Sequence, residues 1–407
     1  MTTPVFCCGF ECSLGAIGVG PHWAAAIAAS LDTVTVRSGS RSLRLNPANQ
    51  TADATSLASI SSTILVWRFY IRFASLPISD AMLSSETNGR CGVAFKNSDS
   101  SIYAGNTDTS PVFGASGVSI TTGIWYRIDV KVNATANPRL TDVMVNGVAC
   151  GQNSLSVASA TIVGVRLGAN NPETCDIYFD DLILSTTSGD YPIGDGYVNH
   201  FVPTADGSHN IAGADDFELT LTGTDIRNGD NTAFEMVNDI PLDSSLGDWI
   251  NLTAPPNSTD YVEVVFGAAP NAVTPVQAPR SVEFLAAFHA AAVQTNNLRI
   301  AYRDNNGGTQ DDVRNATVGS ESILYVRKQY AAIPGGGAWT PTAFNNSRAR
   351  CYSSDANPDP RLDSLMIEAE FPIKADARLQ AASPMGSGIS SQIAKLTPSA
   401  NYFMGVM

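Results

Sequence analysis

The feature that most restricts this chain is a local rhythm. Short runs rich in β-branched and aromatic residues alternate with clusters of Gly, Asn, Asp, Ser and Pro. Such runs suit a pleated, half-buried surface and such clusters turn the chain, so the sequence predicts an all-β protein. The clear early runs are 33–37, 42–45, 63–74, 92–96, 124–132, 141–148, 162–167 and 176–184. In 67–73, Trp67, Phe69, Ile71 and Phe73 alternate with Arg68, Tyr70 and Arg72. A period of two predicts one face in a core and the other face wet. The segment 125–132 repeats the pattern, with Arg127, Asp129 and Lys131 outward. Asn146-Gly147 reads as a two-residue hairpin turn, because both positions of such a turn need positive φ.

A polar, Gly-rich joint over 185–196 divides the chain, and the domain boundary is placed near 188. The first domain is then 1–187. A second strand-rich region, 188–374, carries runs at 217–221, 261–266, 281–293, 298–302, 323–326 and 365–371. Its Ala-rich segment 282–293 has helical propensity. Val282, Phe284, Ala286, Phe288 and Ala290 nevertheless alternate, which predicts a strand. Residues 375–407 lose the alternation and hold few charges. They read as an extended C-terminal arm, which needs a surface to lie on, and a neighbouring subunit is the natural one.

Only 15% of the 407 residues are charged, against roughly 25% in ordinary soluble chains. The formal net charge is −14, and it is unevenly spread. Residues 1–187 hold 11 basic and 13 acidic side chains, whereas 188–374 hold 11 and 24. The second domain is thus expected to face solvent, beside two nearly uncharged regions free to pack on other subunits. Excess acid argues against a nucleic-acid partner and a polybasic membrane anchor. No run approaches the ~20 apolar residues that span a bilayer, so membrane insertion is not expected. The first residues show no basic n-region, which predicts no export by the usual secretory route. Of seven cysteines, Cys7, Cys8 and Cys12 cluster, but no second cluster completes a tetrahedral metal set. They read as buried thiols of a chain made in a reducing cytoplasm.

An ordered series of motifs carries a family resemblance: Gly9-Phe-Glu11, Ser38-Gly-Ser-Arg-Ser-Leu-Arg-Leu45, 67–77, 125–132, Val145-Asn-Gly147 and Tyr178-Phe-Asp-Asp-Leu182. Together they resemble the concanavalin A-like (laminin-G/pentraxin-type) jelly roll. There a "v-N-G" hairpin follows a strand opening "W-y-r-i", and a last strand ends "D-D-l". The continuation through 198–207, 234–241, Asp260-Tyr-Val-Glu263, Ala338-Trp-Thr340 and 361–371 looks like virion proteins of tailed bacteriophages. In those, a lectin-like jelly roll precedes a second β-rich domain. The resemblance covers about 5–371. It implies a non-enzymatic component of the tail, a fibre or the head surface, present in many copies. Its partners would be itself and other virion proteins, and it would reach the virion without a signal peptide. The alternative is a lectin-like adhesin for host surface glycans; a polysaccharide depolymerase stands third.

The residues offer little for catalysis. The four histidines, His22, His200, His209 and His289, sit in no metalloprotease, hydrolase, P-loop or dinucleotide-binding pattern. His200 and His209 flank Asp206 and read as an interdomain loop; His289 reads as a core or interface residue. Glycoside hydrolysis needs two carboxylates about 5–9 Å apart. In 1–187 the glutamates are Glu11, Glu86 and Glu173, none paired with an Asp on one strand face. Calcium is the one cofactor the pattern admits, with Asp176, Asp180 and Asp181 as hard oxygen ligands at the end of a strand. A second oxygen-rich stretch, 225–231, reads first as a turn. Tyr103, Phe113 and Trp339, placed in loops, are the glycan-binding candidates, with a core role beneath each loop as the favoured reading. Six N-x-S/T sequons, at Asn49, Asn133, Asn251, Asn257, Asn315 and Asn345, read as coincidental in so Asn- and Thr-rich a chain.

Overall fold

A computed structural model describes residues 4–11, 25–27, 29–46, 51–54, 60–87, 91–106, 111–157, 159–168, 175–207, 218–221, 224–226, 237, 248–251, 262–266, 277–290, 294–296, 298–303, 311–312, 316–318, 324–330, 332–333, 336–353 and 360–373. The arm 375–407 lies outside the described residues, as do Cys12, His22, His209 and 227–231. No helix among the described residues is long and apolar enough to cross a membrane.

The protein is all-β, and every strand pairing is antiparallel. The first sandwich has two sheets. One runs in the order Val148–Leu155, Arg139–Val145, Trp125–Asn133, Ile64–Ser75, Asp176–Ser185, Ser42–Leu45, Ala29–Asp32, with Pro4–Cys8 also paired to Asp176–Ser185. The other runs Val112–Ser119, Ser101–Asn106, Cys91–Lys96, Ala81–Glu86, Val165–Gly168, Thr51–Ala54, Ala25–Ile27. Strands distant in sequence sit side by side, the interleaving of a jelly roll. Trp67, Phe69, Ile71 and Phe73 point inward with Val93, Phe95, Ile128, Val130 and Phe179, all fully buried. The indole N–H of Trp67 is satisfied within that core, since Nε1 donates to Ser84 Oγ at 3.1 Å. Asn146 (φ 50°) and Gly147 (φ 83°) make the expected hairpin turn between Arg139–Val145 and Val148–Leu155.

The second sandwich begins at Gly196. Its larger sheet runs Thr224–Ile226, Glu218–Leu221, Asp248–Asn251, Pro360–Pro372, Ser281–Ala290, Leu324–Tyr330, with Gly196–Phe201 also paired to Pro360–Pro372. The smaller runs Pro203–Asp206, Val262–Phe266, Arg348–Ser353, Leu298–Arg303, Asp311–Asp312. Ser281–Ala290 is a strand, as its alternation indicates, with Val282, Phe284 and Ala286 in the core. That core is aromatic: Phe266, Phe284, Tyr302, Trp339 and Phe344 meet edge to face, at centroid distances of 5.2–6.3 Å.

Both sandwiches belong to one compact unit, residues 1–373. The outer face of the first sandwich's larger sheet lies on the outer face of the second sandwich's larger sheet. This corrects the reading of a wet face on 67–73. Arg68 is fully buried and Tyr70 is 4% exposed, because the second sandwich covers them. Asp129, expected outward, is fully buried as well. On the opposing face Leu285 and Met366, in register with each other, are buried yet belong to neither core.

Candidate functional site

The seam between the sandwiches is where this chain concentrates its chemistry. At its centre Arg68 Nη1 donates to Glu370 Oε1 at 2.8 Å, and neither side chain is exposed. Arg280 reaches the same carboxylate, with Nε to Glu370 Oε2 at 2.7 Å and Nη2 to Oε1. Arg68 also donates to the carbonyls of Gly194 (3.3 Å) and Asp181 (3.1 Å), and Arg280 to those of Ile193 (2.7 Å) and Asp195 (3.2 Å). Two guanidiniums on one carboxylate, each also tied to backbone oxygens, offset the desolvation of these charges, although the buried Arg68 Nε has no hydrogen-bond partner among the described residues. Gly196 makes this possible. A Cβ there would collide with Glu370 Oε1 and with both guanidiniums, so only glycine lets the chain pass over the triad.

A second knot lies beside it. Glu11 accepts from Ser40 N (2.7 Å), Ser40 Oγ (2.5 Å) and Arg41 N (3.2 Å). Gly39, at φ +66° and with its missing Cβ against the Glu11 carboxylate, bends the 38–41 loop over it. Across the seam, His200 Nδ1 lies 3.3 Å from Glu11 Oε2. Glu283 pairs with Arg327 at 2.7 Å and accepts from Cys7 N at 3.3 Å. Glu368 accepts from Gly9 N at 3.3 Å. Burial, with the Glu283 and Glu11 carboxylates, pushes Glu368 well above the usual carboxyl range. Burial, then the nearby glutamates, also pushes the Cys7 thiol up, so it is not a nucleophile at neutral pH.

The proposed calcium ligands are not gathered into a cation site. Asp176 forms a two-pronged pair with Arg44, at 3.0 and 2.9 Å. Asp180 accepts from the backbone N–H of Arg37 (2.9 Å), Ser38 (3.3 Å) and Asp181 (2.8 Å). Asp181 takes Arg37 Nη1, Ser38 Oγ and, at 2.6 Å, Val198 N from the second sandwich. Its φ of 53° at a β-bulge turns two successive carboxylates into the seam, so Asp180-Asp181 serves as a joint. No group of three or more His, Cys, Asp or Glu able to hold a metal occurs among the described residues.

The glycan candidates separate. Tyr103 and Phe113 lie on paired strands, Ser101–Asn106 and Val112–Ser119, rather than in loops, and their rings meet edge to face at 5.3 Å. Lys96 Nζ sits 5.4 and 5.6 Å from the two centroids. Trp339 is instead a core residue of the second sandwich, 4% exposed, its indole N–H donating to Tyr330 O at 2.9 Å. Asp206 ends the strand Pro203–Asp206, and His200 lies on Gly196–Phe201 rather than in a loop. His289 lies on Ser281–Ala290 opposite Arg361, its side chain outside the described residues. The six described cysteines are buried.

The seam residues themselves went unnoticed in sequence. One signal was present: in 365–371, Glu368 and Glu370 alternate with Ile367, Ala369 and Phe371, and Glu283 stands between Val282 and Phe284. A strand with a strongly apolar face and two glutamates on the opposite face calls for a cationic partner surface. The acidity of the second region is therefore partly internal. Every glutamate whose side chain is described, namely Glu11, Glu86, Glu263, Glu283, Glu368 and Glu370, is buried.

No protein-family model and no curated protein matches the chain. Among solved structures it is similar to a mutant of Trypanosoma rangeli sialidase displaying trans-sialidase activity, at 12% identity and TM-score 0.32, over 45% of this chain and 31% of that one. It is similar to Trypanosoma rangeli sialidase itself at 14% and 0.30, over 43% and 30%. It is also similar to the botulinum neurotoxin type G receptor binding domain at 11% and 0.28, over 74% and 76%. The chain thus spans about a third of the length of those sialidases, and likenesses this distant concern β-sheet architecture alone.

Proposed function

We propose that this chain is a non-enzymatic structural component of a tailed phage particle, assembled in multiple copies in the tail, a fibre or the head surface. The observation that carries the reading is the seam. Two sandwiches locked through Arg68, Glu370 and Arg280 form one stiff block, a shape suited to a building unit. The ordered motif series of the sequence supplies the phage assignment. Carboxylates that could serve hydrolysis are instead committed: Glu370, Glu283 and Glu263 to arginines, Glu11 to backbone N–H groups. The test is the copy number and position of the chain in purified particles, by quantitative mass spectrometry and imaging. Many copies at one station are expected; a chain found only in the free lysate overturns the reading. Removing 375–407 should leave 1–373 folded, since it is compact by itself, but unable to join particles.

A second reading, recognition of host glycans, is favoured by one observation. Tyr103, Phe113 and Lys96 share one outer surface of the first sandwich, each half-buried, and Tyr103 O–H is fixed to Asp99 at 2.5 Å. Aromatic faces beside a cation suit a sugar ring bearing an anionic group. Phe113→Ala, a partly exposed position, should abolish retention on a glycan array without changing the melting temperature. A flat array for the unaltered chain removes this reading and leaves the first untouched.

A further inference from the structure

Three facing side chains of the seam stand in one transverse row. His200 on Gly196–Phe201 lies opposite Glu368 on Pro360–Pro372, and Glu368 lies opposite Glu283 on Ser281–Ala290. Their register puts all three on the outer face, toward the first sandwich. Glu283 and Glu368 are fully buried, and two like charges directly opposite each other on neighbouring strands repel. In a dry seam that repulsion is poorly screened, and a proton on one carboxyl removes it.

The surroundings of the row define the charge balance. The N-terminal strand and its extension bring the thiols of Cys7 and Cys8 and the carboxylate of Glu11, which faces His200. Leu324–Tyr330 brings Arg327, already on Glu283. Ile64–Ser75 brings Arg68, and the approach to Ser281 brings Arg280, both on Glu370. Arg37 is held by Asp181. The middle of the row, Glu368, therefore lies near the carboxylates of Glu283 and Glu11.

We infer that the seam is a proton-operated latch, closed when Glu368 carries a proton and loosened when it is ionised. Protonated Glu368 removes the clash with Glu283, which stands directly opposite it. The latch therefore has one sense: it tightens on acidification. Glu368 holds its proton more firmly in the folded seam than the ordinary glutamate value of 4.5 allows in an unfolded chain. Its contribution to stability is complete below that ordinary value and is lost progressively as pH rises toward the folded one.

Two amides report on the latch directly, since Gly9 N–H donates to Glu368 and Cys7 N–H to Glu283. Hydrogen exchange of the full chain is measured between pH 5.5 and 9 and corrected for the intrinsic pH dependence of exchange. Protection at residues 7–9 should fall at least about tenfold toward alkaline pH, while protection in the core strand 67–73 stays constant. Glu368→Gln, which keeps the shape and cannot ionise, should flatten the profile at 7–9. Constant protection in the unaltered chain overturns the inference, and so does an equal fall in Glu368→Gln. If Glu368→Gln does not fold, Glu283→Gln is the deciding variant: with no charge opposite Glu368 its fall should be smaller than that of the unaltered chain, and an unchanged fall rejects the latch.

Discussion

The strand Ile64–Ser75 has two faces that are equally dry and built on opposite principles. Trp67, Phe69, Ile71 and Phe73 enter a core where apolar contact is non-directional and each side chain adds its share. Arg68 and Tyr70, on the other face, enter a seam where burial is tolerable because the guanidinium Nη atoms and the phenol meet specific partners. The core should respond to substitution by degrees. The seam should respond to the loss of a partner far more than to the loss of a pair.

The largest effect should follow from opening the triad. Glu370→Leu leaves two guanidiniums facing an apolar side chain, and thermal unfolding should show a loss of about 3–5 kcal/mol. Adding Arg68→Met should recover more than half of it, because a replaced buried pair is often neutral where a broken one is not. A double mutant no more stable than the single would erase the contrast between the two faces. Gly196→Ala tests the same knot through the backbone. The added methyl strikes three charged groups at once, and a loss of about 1–3 kcal/mol is expected. In the core, Ile71→Val removes one methylene and should cost about 0.5–1.5 kcal/mol, with no partner able to rescue it. Arg68→Lys, conservative by charge, should cost more than Ile71→Val, since one ammonium cannot serve Glu370, Gly194 and Asp181 together. The smallest effect belongs to a pair near the surface. Lys131→Ala breaks its 2.8 Å contact with Asp142, both about a fifth exposed, and should change stability by less than about 1 kcal/mol.

The all-β fold was legible because period-two alternation is a local property. It correctly made a strand of Ser281–Ala290 against its alanine content, and a turn of Asn146-Gly147. The seam was not legible, since alternation says that two faces differ and does not say what lies on the second. Arg68 and Glu370 are 302 positions apart, and nothing local to either names the other. The same limit explains the aspartates. Asp176, Asp180 and Asp181 read as a rim of oxygen ligands, but Arg44, Arg37 and the backbone amides that occupy them come from elsewhere in the chain. Trp339 stands in a loop, as the Gly and Pro around it indicate, and its ring packs inward against Tyr302 and Phe344, which agrees with the core role favoured from sequence. Tyr103 and Phe113 came together through a strand pairing whose register shifts between Phe113 and Gly117, an irregularity that spacing alone does not announce.

The joint over 185–196 has a mechanical side. Its composition is that of a flexible tether, yet Gly194 N–H is held by Asp129 at 3.0 Å and the carbonyls of Ile193, Gly194 and Asp195 are held by Arg280 and Arg68. A pull that separates the two sandwiches thus meets short, directional bonds before it strains either core. Such a coupling transmits force with little give and then fails abruptly. Stress on one sandwich would pass to the other rather than dissipate at the linker.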